Sequence, residues 1–380
     1  MKFLLIYVPN LRFNNDPYKK YNLYEFATRV TRKNKDNVSN LPLTISAQYG
    51  LVDQVSFFNK TVASKDMSGY YLLKNGEFAY NKSYSNDYPW GAIKRLDLYD
   101  MGCLSTLYIC FKTNDNIVNS NYLVHYFESS KWHKQVADIA GEGARNHGLL
   151  NIVVNDFFNT KHAVPTIENQ IKIAGFLDLI EKRIQTQIKI IDDYNSLKMG
   201  IYNWMFKENY ADYKLKQLAY IVKGDQINND QLLSNGSYYM MNGGTSPSGY
   251  LDSYNVSENT ISISEGGNSC GYVQFNSSPF WSGGHCYTIQ NVNSALIENK
   301  YLYHYLKHKE KEIMNLRIGT GLPNIQKKDL ENFTIFVPSL LIQRKNLALF
   351  EMLDEKICIL NEELERLEMQ KKYLLRNMFI

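Results

Sequence analysis

Two stretches of this chain, 173 positions apart, carry the same joint: residues 159–172 read NTKHAVPTIENQIK and residues 332–345 read NFTIFVPSLLIQRK. Val164-Pro165 repeats as Val337-Pro338, Gln170 as Gln343 and Lys172 as Lys345. The match runs without a gap from Gly148-Leu149 (Gly321-Leu322) through Asp156 (Asp329) to Met205-Phe206 (Met378-Phe379). Upstream the offset grows, to 179 for NYLVHYF (121–127) against KYLYHYL (300–306). It reaches 192 for YNLYEFATRV (21–30) against YKLKQLAYIV (213–222). Loops of unequal length in a common frame produce such a drift. A period of about 180 residues is a duplicated domain, far longer than a solenoid repeat.

Each joint runs into a heptad helix. Phe350, Leu353, Ile357, Leu360, Leu364, Leu367, Lys371, Leu374 and Met378 are spaced alternately by three and four, with Glu362, Glu363, Glu365, Arg366, Glu368 and Lys372 on the outer faces. Moved back by 173, the same positions are Leu177, Ile180, Ile184, Gln187, Ile191, Tyr194, Lys198, Ile201 and Met205. Polar residues interrupt that seam at Gln187 and Lys198, and Lys198 shares its heptad position with Lys371. Pro165 and Pro338 stand just ahead of the helices, where a missing N–H costs nothing. About 36 residues at ~1.5 Å each make helices roughly 55 Å long. Such a seam also serves a core helix or a homodimer zipper. Two matched seams in one chain can instead bury each other as an antiparallel pair, with a similar globular unit at each end.

The segments between the helices read as α+β. Strand-like runs at 102–111, 259–266 and 284–290 alternate with turn signals such as KNGE, MNGGTSPSG and SEGGNS. One helix in each carries the YLxHY segment. The expected fold is α+β, with two pseudo-repeated domains at 1–163 and 207–336 and two long antiparallel coiled-coil helical regions at 164–206 and 337–380.

Composition narrows the function classes. The chain has 380 residues, 44% hydrophobic and 21% charged, enough for two sizeable cores. Residues 1–163 carry a net +5 and residues 207–336 a net −1, a weak grip on phosphates for a protein acting alone. Five irregularly spaced cysteines without a CxxC pair favour reduced thiols in a cytoplasmic protein. The opening MKFLLIYVPN is too short for a secretory apolar core and has no small-residue cleavage site. No apolar run approaches the roughly 20 residues of a membrane span.

These features resemble the specificity subunit of type I restriction–modification systems. The resemblance is carried by VPNLRF (8–13), the YxLxxhAxxV start of each unit (h apolar), the joints GLLNIVVNDFFNTKHAVP and GTGLPNIQKKDLENFTIFVP, and closing helices that each end in Met-Phe. It covers essentially the whole chain. The family has a Glu-Gln pair after Val-Pro; here the segments read ENQ and LIQ, and only the Gln is kept. The resemblance implies two target-recognition domains, each reading one half of a bipartite site in double-stranded DNA, with the helix pair setting the gap. It implies no catalysis and no cofactor on this chain. Two adenine-N6 methyltransferase subunits would bring S-adenosylmethionine, and restriction/translocase subunits would bring ATP and Mg.

Enzymatic readings have little support in the residues. An adenine methyltransferase needs an Asn/Asp-Pro-Pro-Tyr/Phe loop for the flipped base; NDPY at 15–18 has one proline and follows no strand. NGGTSPSG (242–249) lacks the Gly-Lys-Ser/Thr ending of a phosphate loop. His285-Cys286 and Cys270 are scattered ligand types, better read as a satisfied interior than as a metal site. A non-catalytic coiled-coil scaffold with two protein-binding modules is the other reading that the composition allows.

Base reading needs bidentate donors and acceptors on loops. In the first domain the candidates are Thr44, Ser46, Gln48 and Tyr49, then Asn81, Lys82 and Ser83, then Arg145, Asn146 and His147 just before the joint. In the second they are Asn242, Thr245, Ser246 and Ser248, then Asn268 and Ser269, then Arg317 and Thr320. Each sits in a segment that would serve equally as an ordinary surface loop.

Overall fold

A computed structural model describes residues 18–46, 49–60, 62–85, 88–141, 148–206, 210–319 and 321–379. The chain divides into two compact units, one of residues 1–186 with 363–380 and one of residues 187–362. Each takes a stretch of both long helices, which span Ile167–Met205 and Leu340–Met378.

In the first unit, strand Lys19–Asn22 pairs antiparallel with the joint strand Lys161–Val164, closing the module on itself. A four-stranded antiparallel sheet follows in the order 27–29, 109–113, 78–81, 92–95. Hairpin 43–46/50–53 and the pair 71–74/101–104 are built beside it. The run 102–111, expected as one strand, is two. Tyr108 N–H donates to Ser105 O in a turn that sends Met101–Leu104 and Ile109–Thr113 to different sheets.

The second unit repeats this frame strand for strand. Ala211–Lys214 pairs with Thr334–Val337, and the sheet order is 220–223, 286–290, 260–264, 273–276. Leu23 N–H donates to Thr160 O in one module, and Leu215 N–H to Phe333 O in the other. Glu25 caps Asn22 N–H and Gln217 caps Lys214 N–H, so even the short helical turn after the first strand recurs. The added part differs: here it is a three-stranded sheet of 249–251, 238–241 and 281–282.

The YLxHY helices are Ser120–Glu128 and Asn299–His308. Each is tied to its long helix by the repeated glutamine, which is buried. Gln170 accepts from Asn119 N–H at 2.7 Å and donates to Pro165 O; Gln343 accepts from Glu298 N–H at 2.8 Å and donates to Pro338 O. One side chain thus satisfies a helix-entry N–H and the proline carbonyl ahead of its own helix.

The heptad seam is buried within each unit, and the helices run antiparallel there. In the first, Leu177, Ile184, Leu367, Leu374 and Met378 are buried, while Ile180 and Leu364 are half-buried. Glu181 meets Lys371 at 2.6 Å and Arg183 meets Glu363 at 3.3 Å. In the second, Ile191, Phe350, Leu353 and Leu360 are buried and Ile357 is half-buried. Buried Gln187 donates to Leu360 O at 2.8 Å, and Lys198 pairs with Asp354. The two lysines at one heptad position therefore each meet a carboxylate of the opposite helix.

Candidate nucleic-acid interface

The central strand 260–264 ends in Glu265 and Gly266, and four loops gather there. Asn324 pairs with Gly266 and with Ile318, and Gly267 N–H donates to Pro323 O. Ser264 Oγ donates to Gly243 O at 2.7 Å, and Asn242 Oδ1 accepts from His285 N–H at 2.9 Å. The three second-unit segments chosen from the sequence therefore form one surface. Thr245, Ser246, Ser248, Asn268 and Arg317 are exposed, with Asn242 and Ser269 half-buried. Thr320 lies outside the described residues.

The floor of this surface is ionic. Glu265 is buried, its Oε1 held by Lys223 Nζ at 2.6 Å and the Tyr287 hydroxyl at 3.1 Å. Burial, then the Glu265 charge, raise the Tyr287 phenol, which keeps it a donor. Burial also pushes the Cys286 thiol up to about 11 and raises Cys270, so neither offers a thiolate. Among the described residues, no group of His, Cys, Asp or Glu is placed to hold a metal ion. What the surface offers is hydrogen bonding, with Lys223 and Arg317 as cations.

The first unit has the same arrangement at the same end of its sheet. Strand 78–81 runs on into Lys82 and Ser83; Leu150 N–H donates to Lys82 O, as Ile325 N–H does to Glu265 O. Ser83 pairs with Leu149, and Asn81 Oδ1 accepts from Ser83 N–H at 3.0 Å. Ser83 is exposed, while Asn81 and Lys82 are half-buried. One chosen segment, residues 81–83, is placed here; Arg145, Asn146 and His147 lie outside the described residues.

The hairpin 43–46/50–53 does not join them. Thr44 and Ser46 are buried, and Ser46 Oγ accepts from Tyr49 N–H at 3.2 Å. Tyr49 is 68% exposed, and Gln48 lies outside the described residues. Tyr49 lines a cleft of about 390 Å³ with Lys94, Arg95, Glu181 and Lys371. Arg95 pairs with Phe78, at the opposite end of the strand from Asn81. Sequence reasoning passed over Lys223, Glu265 and Asn324 and set His285 in a satisfied interior; their common location depends on long-range pairing. The Gly283-Gly284 pair ahead of His285 was the available signal for a close approach.

A duplicated α+β module, with polar loops gathered at one end of each sheet and an antiparallel helix pair behind it, defines a tandem-module protein. Comparison with known proteins shows what this chain is similar to. A model of the type I restriction modification DNA specificity domain matches residues 207–369. A putative type I specificity subunit of Mycoplasma pneumoniae is 34% identical over 158 residues, 41% of this chain and 42% of that protein. One from Mycoplasma genitalium is 32% identical over 127 residues, 33% of each chain. These alignments span less than half the length of the relatives. Over the full length, the fold is that of the crystal structure of a type I restriction–modification S subunit from M. genitalium, with a TM-score of 0.62, 17% identity and 97% of each chain covered. A structure reporting complex assembly and conformational transition of a type I system matches with a TM-score of 0.60 and 17% identity, covering 94% of this chain and 96% of that one. The second module and its helix thus match the type I restriction modification DNA specificity domain, and the fold of the whole chain is that of solved type I S subunits.

Proposed function

We propose that this protein is the DNA-recognition subunit of a type I restriction–modification complex. Each module reads one half of a bipartite site in double-stranded DNA, and the helix pair sets the gap of unread bases. Carrying this reading is the repetition of the frame: each central strand delivers its exit, tied to the segment before the joint, to one loop cluster. Two copies of one reader suit a site with two halves. Half-sites one turn apart lie ~34 Å apart on the duplex. Helices of 39 residues, about 58 Å long, can span that distance.

The chain supplies recognition and no bond-making step. Two methyltransferase subunits holding S-adenosylmethionine methylate adenine N6 at the site this chain selects. Restriction/translocase subunits using ATP and Mg act from the same complex, in the cytoplasm. No helix among the described residues is long and apolar enough to cross a membrane. Mapping N6-methyladenine across the host genome, with and without the gene, tests the proposal. One bipartite motif, methylated on both strands, should vanish with the gene. Unchanged methylation in a strain whose methyltransferase partner is active would refute it.

A further inference from the structure

His285 is a prominent residue of the second loop cluster that the base-reading candidates did not include. Its backbone is clamped on both sides: the N–H donates to Asn242 Oδ1 at 2.9 Å and the carbonyl accepts from Glu265 N–H at 2.9 Å. Its side chain is nevertheless 61% exposed. Gly243, at φ +81°, lets the neighbouring loop press against it; a Cβ there would lie 3.2 Å from the His285 Cβ. Beneath the ring is the Glu265 carboxylate, whose second oxygen is buried and has no hydrogen-bond partner. That oxygen, Oε2, lies 3.5 Å from His285 Nδ1. A buried carboxylate oxygen left without a donor is costly, and the fold retains it under an exposed imidazole on a fixed backbone.

We propose that His285 is a base-reading residue of the second module and that Glu265 is its positioning residue. With Nδ1–H turned toward the carboxylate oxygen 3.5 Å away, the ring leaves Nε2 facing outward as an acceptor. An acceptor at a base edge in the major groove pairs with an exocyclic amino group, N6 of adenine or N4 of cytosine. The pre-set backbone and the carboxylate orient the ring before DNA arrives, as a specificity contact requires. This inference rests on the DNA-recognition reading above and adds to it the residue and the base chemistry.

The test uses the full chain assembled with its methyltransferase subunits. N6-methyladenine is mapped for wild type, His285→Ala and His285→Gln. His285→Ala should relax a single position in one half-site, with about tenfold weaker preference there or more. The other half-site should be untouched, and His285→Gln, which can still accept, should keep part of the preference. Duplexes carrying purine for adenine, or pyrimidin-2-one for cytosine, at that position lack the amino group. They should bind wild type about tenfold more weakly and His285→Ala no more weakly than the parent duplex.

An unchanged motif in His285→Ala overturns the assignment, as does a variant that still loses affinity when the amino group is removed. Uniform loss across both half-sites also overturns it, because it marks a structural role. A wild-type complex that methylates no bipartite motif sinks the DNA-recognition reading itself, a result the variants cannot mimic.

Discussion

The two modules share four strands in one order and differ in what is built on them. The first adds a hairpin and a strand pair over a second apolar cluster of Leu43, Leu51, Leu73, Leu96 and Leu104. The second adds a small mixed sheet over Met241, Val256, Phe280 and Cys286. The parts facing the long helices are conserved between the copies; the added parts are not. A surface packed against a heptad seam must match that seam twice, whereas a loop cluster meeting solvent or a partner has no such constraint. Charge follows the same division, net +5 over residues 1–163 and −1 over 207–336.

The seam offers the hardest test of this equivalence. Phe350 and Leu177 are the same position, and both are buried. Phe350 also packs edge-on against Tyr202, with ring centroids 4.7 Å apart. Phe350→Ala should cost about 3–5 kcal/mol and Leu177→Ala about 2–5 kcal/mol by urea denaturation. Limited proteolysis should open residues 187–362 in the first variant and the other unit in the second. Opening of both units in either variant would break the comparison.

The modules also place a buried histidine differently. In the first, Tyr126 meets His162 Nδ1 at 2.9 Å; in the second, Tyr202 meets His304 Nδ1 at 2.7 Å. Burial lowers both histidines to about 4 from their ordinary 6.5. Between those values the unfolded chain binds protons that the folded chain does not, so stability rises with pH across this window. Acidification from about pH 6.5 to about pH 4 should therefore remove on the order of 3 kcal/mol per histidine, with no further loss from them below it. Urea midpoints at pH 7 and 5 check this, and His304→Gln should flatten half of the dependence.

The paired lysines give a smaller, symmetric effect. Burial would raise the Glu181 carboxyl, but the hydrogen bond and charge of Lys371 more than reverse that and hold it below its ordinary value. Its contribution is present at neutral pH and is lost as pH falls through that lowered pKa. The carboxylate side chains of Glu181 and Asp354 are 37% and 40% exposed, so solvent screens both pairs. Glu181→Gln and Asp354→Asn should each cost about 1 kcal/mol, less in high salt. A cost confined to one pair would show that the repeated lysine serves only one unit. Smallest of all should be Gln187→Leu, within about 1 kcal/mol of wild type, because it trades one hydrogen bond to Leu360 O for apolar packing in the seam.

What the sequence made legible follows from the same division. The joints, the seam and the YLxHY helices were readable because a heptad or a helix face is a local pattern that packing enforces twice. The run 102–111 misled because Ser105 turns the chain between two sheets, a pairing decision made by distant residues. Thr44 and Ser46 had the right chemistry for base reading, but both are buried in the hairpin, on the strand that also gives Leu43 to the apolar cluster. His285 read as part of a satisfied interior, yet its side chain is 61% exposed; its place beside Asn242 and Glu265 depends on contacts across 43 and 20 residues respectively.

The central claim is that the chain is one reader used twice. It is tested most directly by replacing residues 211–337 with residues 19–164, which end in the same joint strand, and mapping N6-methyladenine made by the assembled complex. The account predicts a two-fold symmetric motif: two inverted copies of the first half-site with the wild-type gap. A complex that still methylates the wild-type second half-site, or a motif without symmetry, would contradict it.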